Sequence, residues 1–584
     1  MLEYGVSILA LCRWEVCVLV GFGDPGERRR GLEEEVDAIL RSASDGRVGK
    51  IRETQSIDFK EEAGRRNGAG IEPGSPQNGA AATKLADEVA CMANTPGGGA
   101  LIVGVEDKTG VIIGTELDIE WLRQRIYSGV DVAPDIVEKR VEGQRVLVIF
   151  VAPAREPVGD TSGRLRWRVG DSCVPVDRSQ WWQFQREHQV LDEMAQPTGK
   201  TIADVRPGAI DILRRSLPQA DELTTEEVMR HLGALGPDGR LSAAGALVFT
   251  AQPAPVVELT VFDVFGGDIS NRVVSEPGTS VLEQLDLVER SLRVVNRNAT
   301  LVKGFVHDPV PLVPHSAVRE ALLNALIHRD WNRSEPVDVR WIELDNTLIV
   351  RSPGGFPAEV TSENVLSNRS ARYPALADLY RAVGLVDKQG VGVDRMYQSM
   401  ITLGHRPPII EEVAGPYVEN TLVGGPPVVA VLDLVSRIVP KARQRDYRIA
   451  IILYLLMSRA FVTEEAVAHG LQAAQEQARN ALEAAAQTTV DGEPLVEPYR
   501  QTWILGPSSR AVLAARLPYL GTDPATMEEV AMLWLTEVGD VATSDLVMLC
   551  DVSRGTAKKC VDTLLADGTI EAVGGGRSTR YRLA

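Results

Sequence analysis

Glu320, Asn324 and His328 stand four residues apart within 318–332 (VREALLNALIHRDWN). That spacing puts all three on one face of a helix. Such a face can serve a nucleotide: Asn324 would bind a magnesium ion held between phosphates, and Glu320 would orient or deprotonate the attacking water. An ordinary amphipathic helix with a few polar residues has the same pattern, so the following chain has to discriminate. Two glycine-bearing stretches follow, Ser352-Pro353-Gly354-Gly355-Phe356-Pro357 and Lys388-Gln389-Gly390-Val391-Gly392. Glycines there let backbone N–H groups close around phosphate oxygens, helped by a helix N-terminus. A second chemistry is suggested by Arg164, Arg166 and Arg168, which alternate along a strand and project from one face. They could contact a nucleic-acid backbone, or simply guard a solvated edge strand.

The elements that must position these groups are legible in outline. The helix at 318–332 is followed by a hairpin, 337–342 and 347–351, turning at Asp345-Asn346. Upstream, a helix is expected at 31–44, an alternating strand at 53–60, a Gly/Pro/Asn-rich loop at 61–82 and a helix at 83–94. Strands follow at 100–105, 146–151 and 164–169; Trp181-Trp182 read as core. Residues 186–205 look like a linker, 224–232 opens with a capping pattern, and 241–245 leads into a strand at 246–249.

In this order, the ExxxN helix, a glycine turn after a strand and a late glycine box resemble the GHKL ATPase fold. HRDW, SPGGFP and GVGVDRM are closer still to the divergent ATP-binding domain that follows a Schlafen-type AlbA-like domain in bacterial regulators. The resemblance implies ATP and magnesium, with Asn324, Gly354, Gly355, Lys388, Gly390 and Gly392 holding them. Most GHKL proteins carry an aspartate in the first glycine box that reads the adenine amino group. Ser352-Pro353 replaces that pattern here, so phosphate binding is better specified than base reading or hydrolysis.

ETQSIDFK, a helix ending ANTPGGG, and ALIVGVED resemble the Schlafen AlbA-like domain over about 45–185. In nuclease members of that family, two acids five apart before Phe-Lys and a third after the GV strand bind metal and cut RNA. The matching residues are Glu53, Asp58 and Asp107, with Glu106 as the alternative third ligand and Lys60 near the scissile phosphate. Clustered carboxylates can hold magnesium that stabilises a transferring phosphoryl group; the same acids could instead cap strands and pair with Arg or Lys. Asp58 stands where the family usually has Glu, which favours binding without cleavage.

Three helices (527–538, 543–550, 553–566) and a glycine-tipped hairpin (569–573, 579–583) resemble a winged helix-turn-helix. From 523 to 550 there are six acids and no Lys or Arg, whereas from 551 onward six bases face four acids. Arg554, Lys558, Lys559 and, at the wing tip, Arg577 would therefore face DNA. A protein-interaction winged helix is the alternative. Helices at 443–457, 463–469 and 473–487 with a hairpin at 494–505 suggest a second, degenerate winged helix.

The composition sets bounds. A chain of 584 residues should hold three or four domains, and 44% hydrophobic with 24% charged residues describes a soluble globular protein. A net charge of −18 excludes whole-surface binding of nucleic acid, so any such contact is a local basic patch. Six scattered cysteines without a CxxC predict reduced thiols in a cytoplasm and no structural zinc. The apolar N-terminus is interrupted by Glu3, Arg13 and Glu15, which predicts neither a membrane span nor a signal peptide.

The fold expected is multidomain α/β and α+β, with these parts: an extension (1–44), an AlbA-like Schlafen domain (45–185), a linker (186–204), a GHKL-like α/β sandwich (205–425) and winged helices (436–510, 523–584). The function expected is a nucleotide-responsive, nucleic-acid-binding regulator. A nucleotide-triggered, metal-dependent ribonuclease and a scaffold with a degenerate ATP site are the alternatives. Vertebrate Schlafens pair two such lobes in one chain; this chain has one, which implies a homo-oligomer.

Overall fold

The computed structural model describes residues 25–49, 54–67, 70–154, 156–178, 180–181, 192–217, 223–303, 306–357, 360–368, 370–384, 392–574 and 579–584. Glu53, Trp182, Lys388, Gly390 and Arg577 lie outside the described residues, as do the first 24 positions.

The N-terminal part is built on a four-stranded sheet in the order β1 (Ile57–Lys60), β2 (Gly99–Val103), β4 (Gln144–Val151), β3 (Asp135–Val141). β1 and β2 are parallel and the other pairs antiparallel. Both faces are covered, which is why β2 reads as a continuous apolar run. Leu101 and Val103 pack towards α2 (Gly79–Asn94) and α3 (Ile119–Val130). Ala100 and Ile102 pack towards Val36 and Leu40 of α1 (Pro25–Arg41). A short hairpin, β5 (Arg166–Val169) and β6 (Ser172–Pro175), packs against α2. Trp181 is fully buried.

The central part is a six-stranded sheet ordered β10 (Ile269–Val274), β9 (Val257–Phe262), β11 (Val337–Ile342), β12 (Thr347–Pro353), β14 (Tyr417–Val423), β13 (Ile409–Val413). β9 and β11 are parallel and the rest antiparallel. β9 alternates buried and half-buried residues, as a sheet with one covered face should. The cover includes α5 (Val281–Val295), α6 (His315–Ile327), α7 (Pro374–Ala382) and α8 (Gly392–Thr402), whose apolar residues share one core with the strands.

Three expectations fail here. Residues 243–249 form a helix, α4 (Ala243–Phe249), rather than a strand, because Ser242 caps it by accepting the Gly245 N–H. The described part of the expected linker is ordered structure: Met194 lies in the central core, and β7 (Pro197–Thr201) pairs with β8 (Arg240–Ser242). The cysteines are not all reduced. Cys91 of α2 and Cys173 of β6 form a disulfide with Cα atoms 6.2 Å apart, while Cys550 and Cys560 are buried free thiols.

The C-terminal part holds α9 (Tyr447–Ser458), α10 (Glu464–Leu471), α11 (Gln475–Ala486) and the hairpin β15 (Val496–Tyr499)–β16 (Thr502–Leu505). α12 (Pro524–Val538), α13 (Thr543–Cys550), α14 (Arg554–Ala566) and the hairpin β17 (Ile570–Val573)–β18 (Arg580–Leu583) complete it. The two halves share a single core, in which Phe461 meets Trp534 edge-on with ring centroids 4.8 Å apart. The same core takes in Tyr397 and Ile401 of α8, so the C-terminal part packs directly on a helix of the central part.

Candidate nucleotide site and nucleic-acid surfaces

α6 and the start of α8 meet along a half-open cavity of about 200 Å³ whose lining includes Asn324, His328, Ser352, Gly392, Asp394 and Asn420. α6 owes its helix to a run of Ala and Leu, of which Ala321, Leu322, Ala325 and Leu326 are buried. Glu320 is buried as well, and its Oε2 has no hydrogen-bond partner among the described residues. Burial raises its carboxyl above the usual range, against the pull of Arg395, whose Nη1 lies 4.0 Å from Oε1, and of Arg319. Asn324 Nδ2 is likewise without a partner. Gly392 leaves room for the Glu320 carboxylate: a Cβ there would sit 2.4 Å from Glu320 Oε2 and make the side chain shift. His328 Nδ1 is the third unpartnered polar atom of the face, and burial lowers the imidazole to about 4, so the ring is neutral near pH 7.

Sequence reasoning missed Asn420, a buried residue of β14 whose Oδ1 has no partner. Gly354 and Gly355, expected at the phosphates, do not line this cavity. They line a larger cleft of about 1000 Å³ between the N-terminal and central parts, together with Tyr127, Asp131 and Glu412. Their turn is committed there. Gly354 N–H donates to Pro416 O (3.2 Å), Phe356 N–H to Glu412 Oε2 (2.9 Å), and a Cβ at Gly355 would lie 2.6 Å from that same Oε2. Gly354, at φ +98, has Asp330 Cβ 2.7 Å from the Cβ it lacks. The following Phe356 and Pro357, not the glycines, reach the cavity.

The glycine turn is also where the N-terminal part docks. Tyr127 OH donates to Glu412 Oε1 (3.0 Å), Arg123 pairs with Glu335 (2.7 Å) and donates to Tyr417 OH (3.2 Å), and Gly415 N–H donates to Gln124 Oε1 (3.0 Å). Burial and the Glu412 carboxylate push the Tyr127 phenol up, keeping it a donor. At the other end, Ser334 and Arg29 both bond to the buried Asp135.

The described acids of the N-terminal part are not assembled as a metal centre, and Glu53, the first expected ligand, lies outside the described residues. Asp58 is fully buried and its Oδ2 is held by Lys60 Nζ (2.8 Å) and Arg168 Nη1 (3.0 Å). Asp58 pairs in register with Leu101, whereas Asp107 is exposed beyond the end of β2 and the half-buried Glu106 accepts the Thr109 hydroxyl. Among the described residues no three His, Cys, Asp or Glu side chains are grouped to hold a metal ion. The described donors do not fit the expected ion: Lys60 and Arg168 neutralise Asp58 through Oδ2, and its Oδ1 has no hydrogen-bond partner among the described residues. Lys60, expected near a phosphate, is spent on Asp58 and lies 3.9 Å from Glu88.

The arginine stripe dissolves in the same way. Arg168 is buried on Asp58, Thr54 O and Asp171 O, so it cannot touch a nucleic acid. Arg164 and Arg166 both pair with Asp160, at 3.2 and 3.3 Å. By contrast Arg554, Lys558 and Lys559 project from α14 into solvent. Among the described residues no carboxylate pairs with them.

Comparison with known proteins agrees with this layout. "Schlafen, AlbA_2" matches residues 53–177, and "Putative ATP-dependent DNA helicase recG C-terminal" matches 337–416. A family of unknown function (DUF5635) matches 429–514, and "Transcriptional regulator DIP2311-like, C-terminal domain" matches 522–584. The solved structure of the DIP2311 protein from Corynebacterium diphtheriae is 64% identical, covering 96% of this chain and 100% of that one, at a TM-score of 0.64. The chain belongs to the DIP2311 family. No curated protein matches it. The family membership supplies the architecture: a Schlafen AlbA-like part, an HATPase-like part and a regulator-type C-terminal part. No helix among the described residues is long and apolar enough to cross a membrane.

Proposed function

We propose that this member of the DIP2311 family is a nucleotide-responsive, nucleic-acid-binding regulator. The cavity between α6 and α8 is its GHKL-type ATP site, and α12–α14 with β17–β18 is a winged helix that binds DNA through Arg554, Lys558, Lys559 and the expected wing-tip Arg577. The observation that carries the reading is the convergence of polar atoms without partners among the described residues, Glu320 Oε2, Asn324 Nδ2 and His328 Nδ1, on the face of one helix at the entry of another, with Asn324 and His328 lining the cavity. Buried polar groups are normally satisfied, so such a cluster points to a ligand. The donor set fits a magnesium–phosphate group. Asn324 would hold the ion through its carbonyl oxygen, with Nδ2 left to donate to a phosphate oxygen, and the ion when bound would neutralise phosphate charge. Glu320, its proton affinity raised by burial, is suited to take a proton from water beside that group. Gly392 leaves room for the carboxylate. Lys388 and Gly390 are expected to close on the phosphates.

α8 links the site to the DNA-binding end. Its first turn lines the cavity, and Gln398 on its later turns donates to Gln444 O (3.1 Å) of the C-terminal part. The cavity wall at Leu366 is tied to Gln472 by its own N–H (2.9 Å). Metal-dependent RNA cleavage is no part of the proposal, because Asp58 is neutralised within the fold. A homo-oligomer remains part of the reading and is read by light scattering.

Titration calorimetry with magnesium and ATP tests the site. Asn324→Ala should remove magnesium-dependent binding while leaving the helix intact, and Glu320→Ala should keep binding and lose whatever hydrolysis the wild type shows. ATP affinity that survives Asn324→Ala unchanged sinks the assignment.

A further inference from the structure

The cavity has two unlike walls. On the α6 side stand the Asn324 amide, already assigned to the metal, and the His328 ring. On the sheet side the lining includes Val350, Ile410 and Val418, with one amide among them, Asn420, and Met396 of α8 stands beside it. Asn420 pairs in register with Val350 on one side and Ile410 on the other, so the three form a row across β12, β14 and β13. Asn420 is 7% exposed, its Oδ1 has no partner, and its Nδ2 reaches only the Met396 sulfur at 3.4 Å. A sulfur is a weak acceptor, so most of the hydrogen-bonding capacity of this buried amide is unused. The position where an aspartate would read a base is occupied by Ser352, whose hydroxyl donates to Ala325 O at 2.7 Å. That hydroxyl ties the strand to α6.

A flat heteroaromatic ring suits apolar walls, and an unsatisfied buried acceptor among them selects a ring that carries a donor. We propose that Asn420 is the residue that reads the base, and that the preferred ligand is a purine nucleotide bearing an exocyclic amine. This rests on the nucleotide reading of the same cavity. Asn420 Oδ1 accepts from the amine, and Nδ2 exchanges its sulfur contact for a ring nitrogen. The carboxamide thus replaces the missing carboxylate from the neighbouring strand, without placing a charge in the sheet.

The test is calorimetry on the full-length chain with three magnesium complexes: ATP, inosine triphosphate (a carbonyl in place of the amine) and inorganic tripolyphosphate. Wild type should prefer ATP over inosine triphosphate by about 10-fold, the worth of one good hydrogen bond. In Asn420→Leu, similar in shape, ATP affinity should fall by about 10-fold to the inosine value, with tripolyphosphate unchanged. The free variant should melt at or above the wild-type temperature, since an unsatisfied polar group has been removed. Asn420→Val, smaller and suited to a strand, should give the same loss of base preference and so separates it from a packing defect. A preference for ATP that persists in both variants overturns the assignment of Asn420 alone. Wild type that binds none of the three overturns the nucleotide reading and this inference with it.

Discussion

Replacing Arg168 by Met decides whether that residue is structural or a nucleic-acid contact. Its guanidinium and the Asp58 carboxylate are 3.0 Å apart with side-chain exposures of 2% and 0%. Removing one partner of a buried pair strands the other charge, at about 3–5 kcal/mol. Lys60, still 2.8 Å from the same oxygen, keeps part of the compensation, so the low end, about 3 kcal/mol, applies. The loss falls on the unit formed by α2, β1 and the β5–β6 hairpin. Amide exchange of the core of α2 should therefore accelerate by about 100-fold, at tenfold per 1.4 kcal/mol. Asp58→Asn added to Arg168→Met should recover much of it, because no uncompensated charge remains. Arg164→Met is the control. Its side chain is 67% exposed, so it should change exchange by less than about twofold. Exchange unchanged in Arg168→Met, accompanied by weaker binding of RNA or DNA, would refute the argument.

Charge reversal of Lys558 and Lys559 should weaken duplex DNA binding at every sequence and lower the log–log salt slope by about one per lost phosphate contact; an unchanged slope moves this end of the chain to protein contacts. His328 gives a pH signature. Its folded value is lowered to about 4 against 6.5 unfolded, so the unfolded chain takes up the proton first and stability falls as pH drops from 6.5 towards 4. His328→Gln should flatten that part of the melting-temperature profile, and an unflattened profile would remove His328 from the account. Glu320 acts in the opposite sense. Its raised carboxyl contributes stability that is full below the ordinary carboxylate value and is lost as pH climbs through the folded one, so Glu320→Gln should raise the melting temperature at neutral pH.

Local pattern carried most of the framework. The hairpin of β11 and β12 was legible from alternation and from Asp345-Asn346, where Asn346 adopts φ 49. α13 and α14 were expected at 543–550 and 553–566, and the structure makes Ser553 the cap of the second. What failed depended on partners distant in sequence. AAGALVF is apolar and short, and such a run is ambiguous between strand and helix until Ser242 is seen to cap it. DIVEKRV, which forms β3, is too charged to announce a strand, yet it lies at the sheet edge where charge is tolerated. The alternation of Arg164, Arg166 and Arg168 gives their shared face but not what stands opposite, and for Arg168 that is an aspartate from β1. Cys91 and Cys173 are 82 residues apart, a spacing that specifies no pairing. Asn420 stands between two other polar residues, Glu419 and Thr421, in YVENTLV, and only the absence of partners around its Oδ1 marks it out, whereas Glu320 was legible from its spacing to Asn324.

The two joins of this chain differ in kind, and that bears on how its parts can be exchanged. The N-terminal sheet keeps its own cores and meets the central part through polar contacts such as Tyr127 with Glu412 and Arg123 with Glu335. α8, by contrast, belongs to two apolar cores at once: Met396 and Met400 in one, Tyr397 and Ile401 in the other. A crossover between relatives placed ahead of Asp192 asks a few side chains to find new partners. A crossover just after α8 asks two faces of one helix to fit surfaces that did not evolve together. Chimeras and domain transplants in this family should accordingly be cut at the first join, with everything from Asp192 to the C-terminus moved as one heritable block, since Met194 already lies in the central core.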